Sequence, residues 1–130
     1  MQQLSVFVKN ELGTMAEITG ALEKGGFNIR AFSVYDTPDF GILRLIADRT
    51  EEAYHYLTEE GFFCRLTEVI ALPLEDRPGM LHEILLTLRE AKVHVDYMYS
   101  IVISDTEIPM IILATEEMEE AKEALGLCQD

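Results

Sequence analysis

The chain of 130 residues has room for one ordinary domain or for two very small ones. Hydrophobic residues make up 48% of it, enough to bury a core, while 24 acidic against 10 basic residues leave a net charge of −14. That balance argues against nucleic acid, which is held by neutralising phosphates, and against anionic membrane surfaces; its plain meaning is solubility.

The start, Met1-Gln2-Gln3-Leu4, has neither a basic n-region nor an apolar stretch. No run approaches the roughly 20 apolar residues of a membrane span. A cytoplasmic protein is expected. Cys64 and Cys128 lie far apart with no metal-ligand spacing, so two incidental thiols are expected, with neither zinc nor a disulfide.

In chain order, Leu4, Val6 and Val8 alternate as in a strand. A loop, Lys9-Asn10-Glu11-Leu12-Gly13, leads to a helix with Met15, Ile18 and Leu22 on one stripe. Thr14 with Glu17 reads as a capping box, and Gly25-Gly26 ends the helix. Strands follow over about 28–35 and 41–48, separated by the turn formers Asp36-Thr37-Pro38-Asp39. An acidic helix comes next, with Ala53 and Leu57 inward. The apolar run from Phe62 to Leu74 reads as the end of one module and the start of the next at once.

The order then repeats. Sliding the sequence by 66 positions places Gly13 on Gly79, Glu17 on Glu83, Ile18 on Ile84, Leu22 on Leu88, Ile42 on Ile108, Ile46 on Ile112 and Glu51 on Glu117. Asn10 falls on Asp76, Met15 on Leu81, Phe27 on Val93 and Ile29 on Val95. After a one-residue deletion Gly61-Phe62 meets Gly126-Leu127. The second copy therefore has a strand at 69–74, the loop Glu75-Asp76-Arg77-Pro78-Gly79, and a helix with Leu81, Ile84, Leu85 and Leu88. Strands follow at about 94–103 and 108–115, split by Ser104-Asp105-Thr106-Glu107, and a last acidic helix carries Met118, Ala121 and Leu125.

The expectation is an α+β protein of two ferredoxin-like βαββαβ modules, residues 1–68 and 69–130. Each has an antiparallel sheet with helices on one face. The second is truncated at its C-terminus, with no room for a fourth strand after Cys128. No Gly/Ser/Pro-rich linker is visible, so the halves are expected to form one rigid body.

The βαββαβ order resembles the ACT domain, a small regulatory ligand-binding module. So do the two loop-and-helix segments, Asn10-Glu11-Leu12-Gly13 leading to Ile18 and Leu22, and Asp76-Arg77-Pro78-Gly79 leading to Ile84 and Leu88. Each helix runs into Phe27-Asn28-Ile29 or Val93-His94-Val95, again similar to the family's pattern. The resemblance covers almost the whole chain, leaving no catalytic domain to regulate in cis. It implies binding of a free amino acid at an interface between two modules, against the loop of one and the second strand of its neighbour.

Loop chemistry agrees. A helix N-terminus offers unpaired N–H groups and a positive dipole end, which suit an α-carboxylate. Gly13 and Gly79 clear the approach or permit φ > 0, and Asn10, Asp76 or a strand carbonyl would accept from the ammonium. The loop alone favours a plainer reading, with Asn10 and Asp76 as helix caps and the glycines as turn residues. The family resemblance reverses that preference for at least one loop.

The candidate ligand-binding set is therefore Asn10, Glu11, Leu12, Gly13, Thr14, Met15, Asp76, Arg77, Pro78, Gly79, Met80, Leu81 and Tyr97. Met15, Met80-Leu81 and Tyr97-Met98-Tyr99 would shape a side-chain pocket for an aromatic, branched aliphatic or imidazole group, with Tyr35 and Asp36 as weaker analogues. His82 sits near the second loop; His55 reads as surface and His94 as structural. No nucleophile–base constellation, matched acid–base pair or phosphate loop is visible, so no catalysis, cofactor or metal is expected. Exposed strand edges suggest a homodimer, and a regulated enzyme is a further candidate partner. The alternatives are a protein-interaction module without a small ligand and, behind it, a small ferredoxin-like enzyme.

Overall fold

The computed structural model describes residues 1–9, 11–102 and 109–127. The chain folds as two compact units, Gln2–Glu68 and Val69 onward with Met1. The first runs β1 (Gln2–Lys9), α1 (Thr14–Lys24), β2 (Ile29–Asp36), β3 (Phe40–Ala47), α2 (Thr50–Glu59) and β4 (Phe63–Glu68). Its sheet has the order β2-β3-β1-β4 with every neighbouring pair antiparallel. The second unit runs β5 (Ile70–Pro73), α3 (Met80–Glu90), β6 (Tyr97–Val102), β7 (Pro109–Ala114) and α4 (Met118–Ala124), with the antiparallel order β5-β7-β6. The fold is thus the expected pair of ferredoxin-like modules, and the second has three strands among the described residues. No helix among them is long and apolar enough to cross a membrane.

Period-two alternation fixes the cores. Leu4 and Val6 of β1 and Leu43 and Leu45 of β3 share a face by register, and Ile18 and Leu22 of α1 and Ala53 and Leu57 of α2 pack on it. Both helices therefore cover one face. In the second unit Ile70, Leu72, Ile111 and Leu113 meet Ile84, Leu88 and Ala121 in the same way. Each such buried Leu or Ile contributes about 2 kcal/mol from burial.

Three local expectations change. The run Phe62–Leu74 is not one shared strand: among the described residues β4 pairs with β1 and β5 with β7, with Val69 between them. Cys64, Leu66, Ile70 and Leu72 share one inward phase, but Glu68 within that phase is exposed and Val69 outside it is buried, so the alternation breaks where the sheet changes. Thr14 makes no capping box: Gly13 is the N-cap and supplies no side chain, and the Thr14 hydroxyl donates to the Glu11 carbonyl at 2.9 Å. His94–Asp96 precede β6 rather than forming its start. The turn at 104–107, the strand ends Ile103 and Ile108, and Cys128 lie outside the described residues. Cys64 is a free, half-buried thiol whose pKa burial raises.

Candidate functional site: two loop clefts

The two loops differ in sequence but take one conformation. Glu11 N–H donates to the Lys9 carbonyl at 2.8 Å and Arg77 N–H to that of Glu75 at 2.9 Å. Thr14 N–H donates to Glu11 and Met80 N–H to Arg77; Glu17 N–H donates to Gly13 and Glu83 N–H to Gly79. Gly13 and Gly79 both sit in the left-handed region, at φ 88° and 86°. That conformation strains a side-chain-bearing residue, which accounts for glycine at both positions. Among the described residues neither helix has a side-chain cap, the N-cap being a glycine in both. The N–H groups of Met15 and Ala16, and of Leu81 and His82, thus have no acceptor among the described residues.

Each loop opens on a cleft. The first, of about 150 Å³, is lined by Val8, Lys9, Glu11, Thr14, Met15, Val34 and Asp36. The second, of about 310 Å³, is lined by Leu74, Glu75, Asp76, Arg77, Gly79, Met80, Leu81, His82 and Pro109. Both combine apolar walls with charges of both signs, the mixture that a zwitterion with an apolar side chain requires.

The electrostatics are not equivalent. Arg77 donates to Glu75 at 3.0 Å and to both oxygens of Glu83 at 2.8 and 3.2 Å. The guanidinium holds the Glu83 carboxyl below the usual glutamate range, and the two carboxylates hold the Arg77 pKa above its ordinary value. Its donors are therefore engaged within the loop. At the equivalent places of the first loop stand Lys9, Glu11 and Glu17, with no such ion pair among the described residues.

Most of the predicted residues lie in these clefts. Glu11, Thr14 and Met15 line the first, and Asp76, Arg77, Gly79, Met80 and Leu81 line the second, with His82 among them. Gly13 supports its loop from outside the lining, and Pro78 is exposed next to Gly79. Leu12 projects fully into solvent. Asn10 lies outside the described residues. Tyr97 does not join the second cleft; it heads β6, stacked against Tyr99 at 6.5 Å between ring centroids. Met98 packs instead on the core.

Residues not foreseen include Val8, Val34 and Pro109, brought in by strand register that local spacing does not report, and Gly41. A Cβ at Gly41 would lie 3.3 Å from Val8 Cγ2 and 3.5 Å from both Asp36 Oδ1 and Met15 Cε. Glycine there keeps the floor of the first cleft open.

Comparison with known proteins agrees with this architecture. The chain is 30% identical to protein BT0572 from Bacteroides thetaiotaomicron, whose crystal structure it matches with a TM-score of 0.86 over 96% of this chain and 85% of that one. It shares its fold, at 15% identity, with the regulatory subunits of aspartate kinase from Thermus thermophilus in the ligand-free form (TM-score 0.65) and from Thermus flavus (0.61). Each of these matches covers 96% of this chain and 90% of the other. No curated protein matches the sequence. A family model described as the ACT domain pair matches residues 1–129, and the chain belongs to that family.

Proposed function

We propose that this chain is a non-catalytic regulatory protein that binds a free amino acid in at least one of its loop clefts. The observation that carries the reading is the shared loop geometry. Two loops of different composition, Glu11-Leu12-Gly13 and Arg77-Pro78-Gly79, converge on one hydrogen-bonded form that ends in a left-handed glycine as the N-cap of a helix over a cleft. The α-carboxylate takes the free N–H groups of Met15 and Ala16, or of Leu81 and His82. The ammonium faces Asp36 and Glu11 in the first cleft, or Asp76 and Glu75 in the second. Apolar walls of Val8, Val34 and Met15, or of Leu74, Met80, Leu81 and Pro109, take an aromatic, branched or imidazole side chain. The larger second cleft is the better match in size, while its arginine is already engaged; the two sites are therefore unequal. In the arrangement that the family resemblance implies, a neighbouring module closes the open side, which favours a homodimer. An enzyme regulated in trans is the expected target.

Thermal shift against the twenty amino acids tests the reading. Saturable stabilisation by one or a few amino acids with medium or large side chains is expected. Stabilisation by glycine, serine or aspartate alone would remove the side-chain pocket. No stabilisation by any of them would favour the interaction-module reading, which the exposed Phe32, Tyr35 and Phe63 support.

A further inference from the structure

The sheet of the first unit has a second face, away from its helices, and its composition is unlike that of the rest of the chain. Register places Tyr35, Ile42, Phe7 and Phe63 opposite one another in a single row across β2, β3, β1 and β4. Phe7 and Phe63 meet edge to face with centroids 5.4 Å apart. Tyr35 is 54% exposed and Phe63 72%, and Phe40, on the same face one step along β3 beside Lys9, is 44% exposed. Large aromatic side chains gathered at this exposure are the kind of surface that marks an interaction site.

The charges on this face make the partner specific. Among its register-paired residues the charged ones are Lys9, Arg44 and Arg65, and none is acidic. This occurs in a chain with 24 acidic and 10 basic residues. Lys9 lies on one side of the aromatic row and Arg44 and Arg65 on the other. Lys9 and Arg65 are exposed and have no ion-pair partner among the described residues. Ser5, between Arg44 and Arg65, is buried, as are Ala31, Ile46 and Gln3 beyond it, so the exposed surface is confined to the aromatic row with Phe40, Lys9 and Arg65 at its flanks. A second copy presenting the same face would set cations against cations. The helices of a second copy have already committed their apolar stripes to their own cores.

We propose that this face docks an acidic amphipathic helix of a partner protein, with the helix axis along the row. Four strands span about 14 Å, the length of about ten helical residues. Such a helix sets an apolar stripe at i, i+3/i+4 and i+7 on Tyr35, Phe7 and Phe63, with carboxylates on both flanks meeting Lys9 and Arg65. The inference does not rest on amino-acid binding, although Lys9 also borders the first cleft. Aromatic and basic groups on a sheet also suit single-stranded RNA, but the net charge of −14 disfavours that ligand.

Fluorescence anisotropy on the full chain tests the proposal with three labelled probes: a Leu/Glu amphipathic helical peptide, its Leu/Lys counterpart and oligo-uridine. The Leu/Glu peptide is expected to bind, more weakly as salt rises, and the Leu/Lys peptide not to bind. Phe63→Ser is expected to weaken binding about tenfold or more. Arg65→Glu is expected to weaken it and to shift preference toward the Leu/Lys peptide. Both side chains are exposed, so circular dichroism should find the variants folded. Equal binding by either variant, tighter binding of oligo-uridine, absence of peptide binding, or a fall in oligomeric mass on Phe63→Ser would each overturn the proposal.

Discussion

Three glycines border the clefts, and the structure assigns them two different reasons for being glycine. At Gly79 an added Cβ meets nothing within 4 Å, yet φ is 86°; Gly13 is the same at 88°. Alanine at either position carries a conformational cost of about 1–2 kcal/mol for the left-handed backbone, partly offset by about 0.5 kcal/mol from the stiffer unfolded chain. The net loss is about 1 kcal/mol, a fall in Tm of about 5 °C for a unit of this size. Asparagine tolerates this conformation, so Gly79→Asn should recover most of the loss. At Gly41 φ is not positive and the constraint is steric, with Val8, Met15 and Asp36 at 3.3–3.5 Å from the new Cβ. There asparagine should cost more than alanine. Urea unfolding followed by circular dichroism measures all four variants. If Gly79→Asn is as destabilising as Gly79→Ala, or Gly41→Asn milder than Gly41→Ala, the assignment of strain to one pair and crowding to the other is wrong.

Other consequences follow from the same geometry. Gly26 and Lys92 occupy equivalent left-handed positions after α1 and α3, at φ 80° and 60°, each with the closing bonds of a Schellman turn, Phe27 N–H to Leu22 and Val93 N–H to Leu88. Gly26→Ala should therefore cost about 1 kcal/mol, whereas Lys92→Gly should gain about half that, as read by thermal unfolding. Arg49 donates to the Gly26 carbonyl at 2.9 Å while its guanidinium lies 4.5 Å from the centroid of the Phe27 ring. Arg49→Ala should cost about 1–2 kcal/mol in urea unfolding, and Arg49→Lys should restore little of it because an ammonium cannot hold both contacts. Glu83 is held below the usual glutamate range by Arg77. Its contribution to stability is present above the unfolded-state glutamate pKa and is lost as pH falls through the lowered folded value. A carboxyl NMR titration should find Glu83 moving back up to the usual range in Arg77→Gln.

How much of this was legible in the sequence depends on whether the controlling contact is local. The stripes Ile18/Leu22 and Ile84/Leu88, the alternation of β1 and the Gly25-Gly26 stop all come from neighbours in sequence, and they stand as expected. The matched glycines at 13 and 79 point to two equivalent loops from spacing alone. What depends on pairing between distant strands was hidden. The only local mark of the change of sheet at Val69 is an exposed Glu68 at an inward position followed by a buried Val69, a short break inside a long apolar run. Tyr97 was expected to line a pocket from the second strand of its module; within its unit it heads β6 and stacks on Tyr99, a pairing that spacing alone does not report. Thr14 satisfied a capping pattern, but the left-handed Gly13 had already taken the cap position. Gly41 gave no signal, since its role follows only from its register opposite Val8.

The most direct test of amino-acid binding at the loop clefts is a backbone amide NMR titration of the full chain with the amino acid that gives the largest thermal shift. Saturable perturbation is predicted, centred on the N–H groups of Met15 and Ala16, or of Leu81 and His82, beside Gly13 or Gly79. Perturbation that leaves all four of these amides unmoved, or no perturbation by any amino acid, would contradict it.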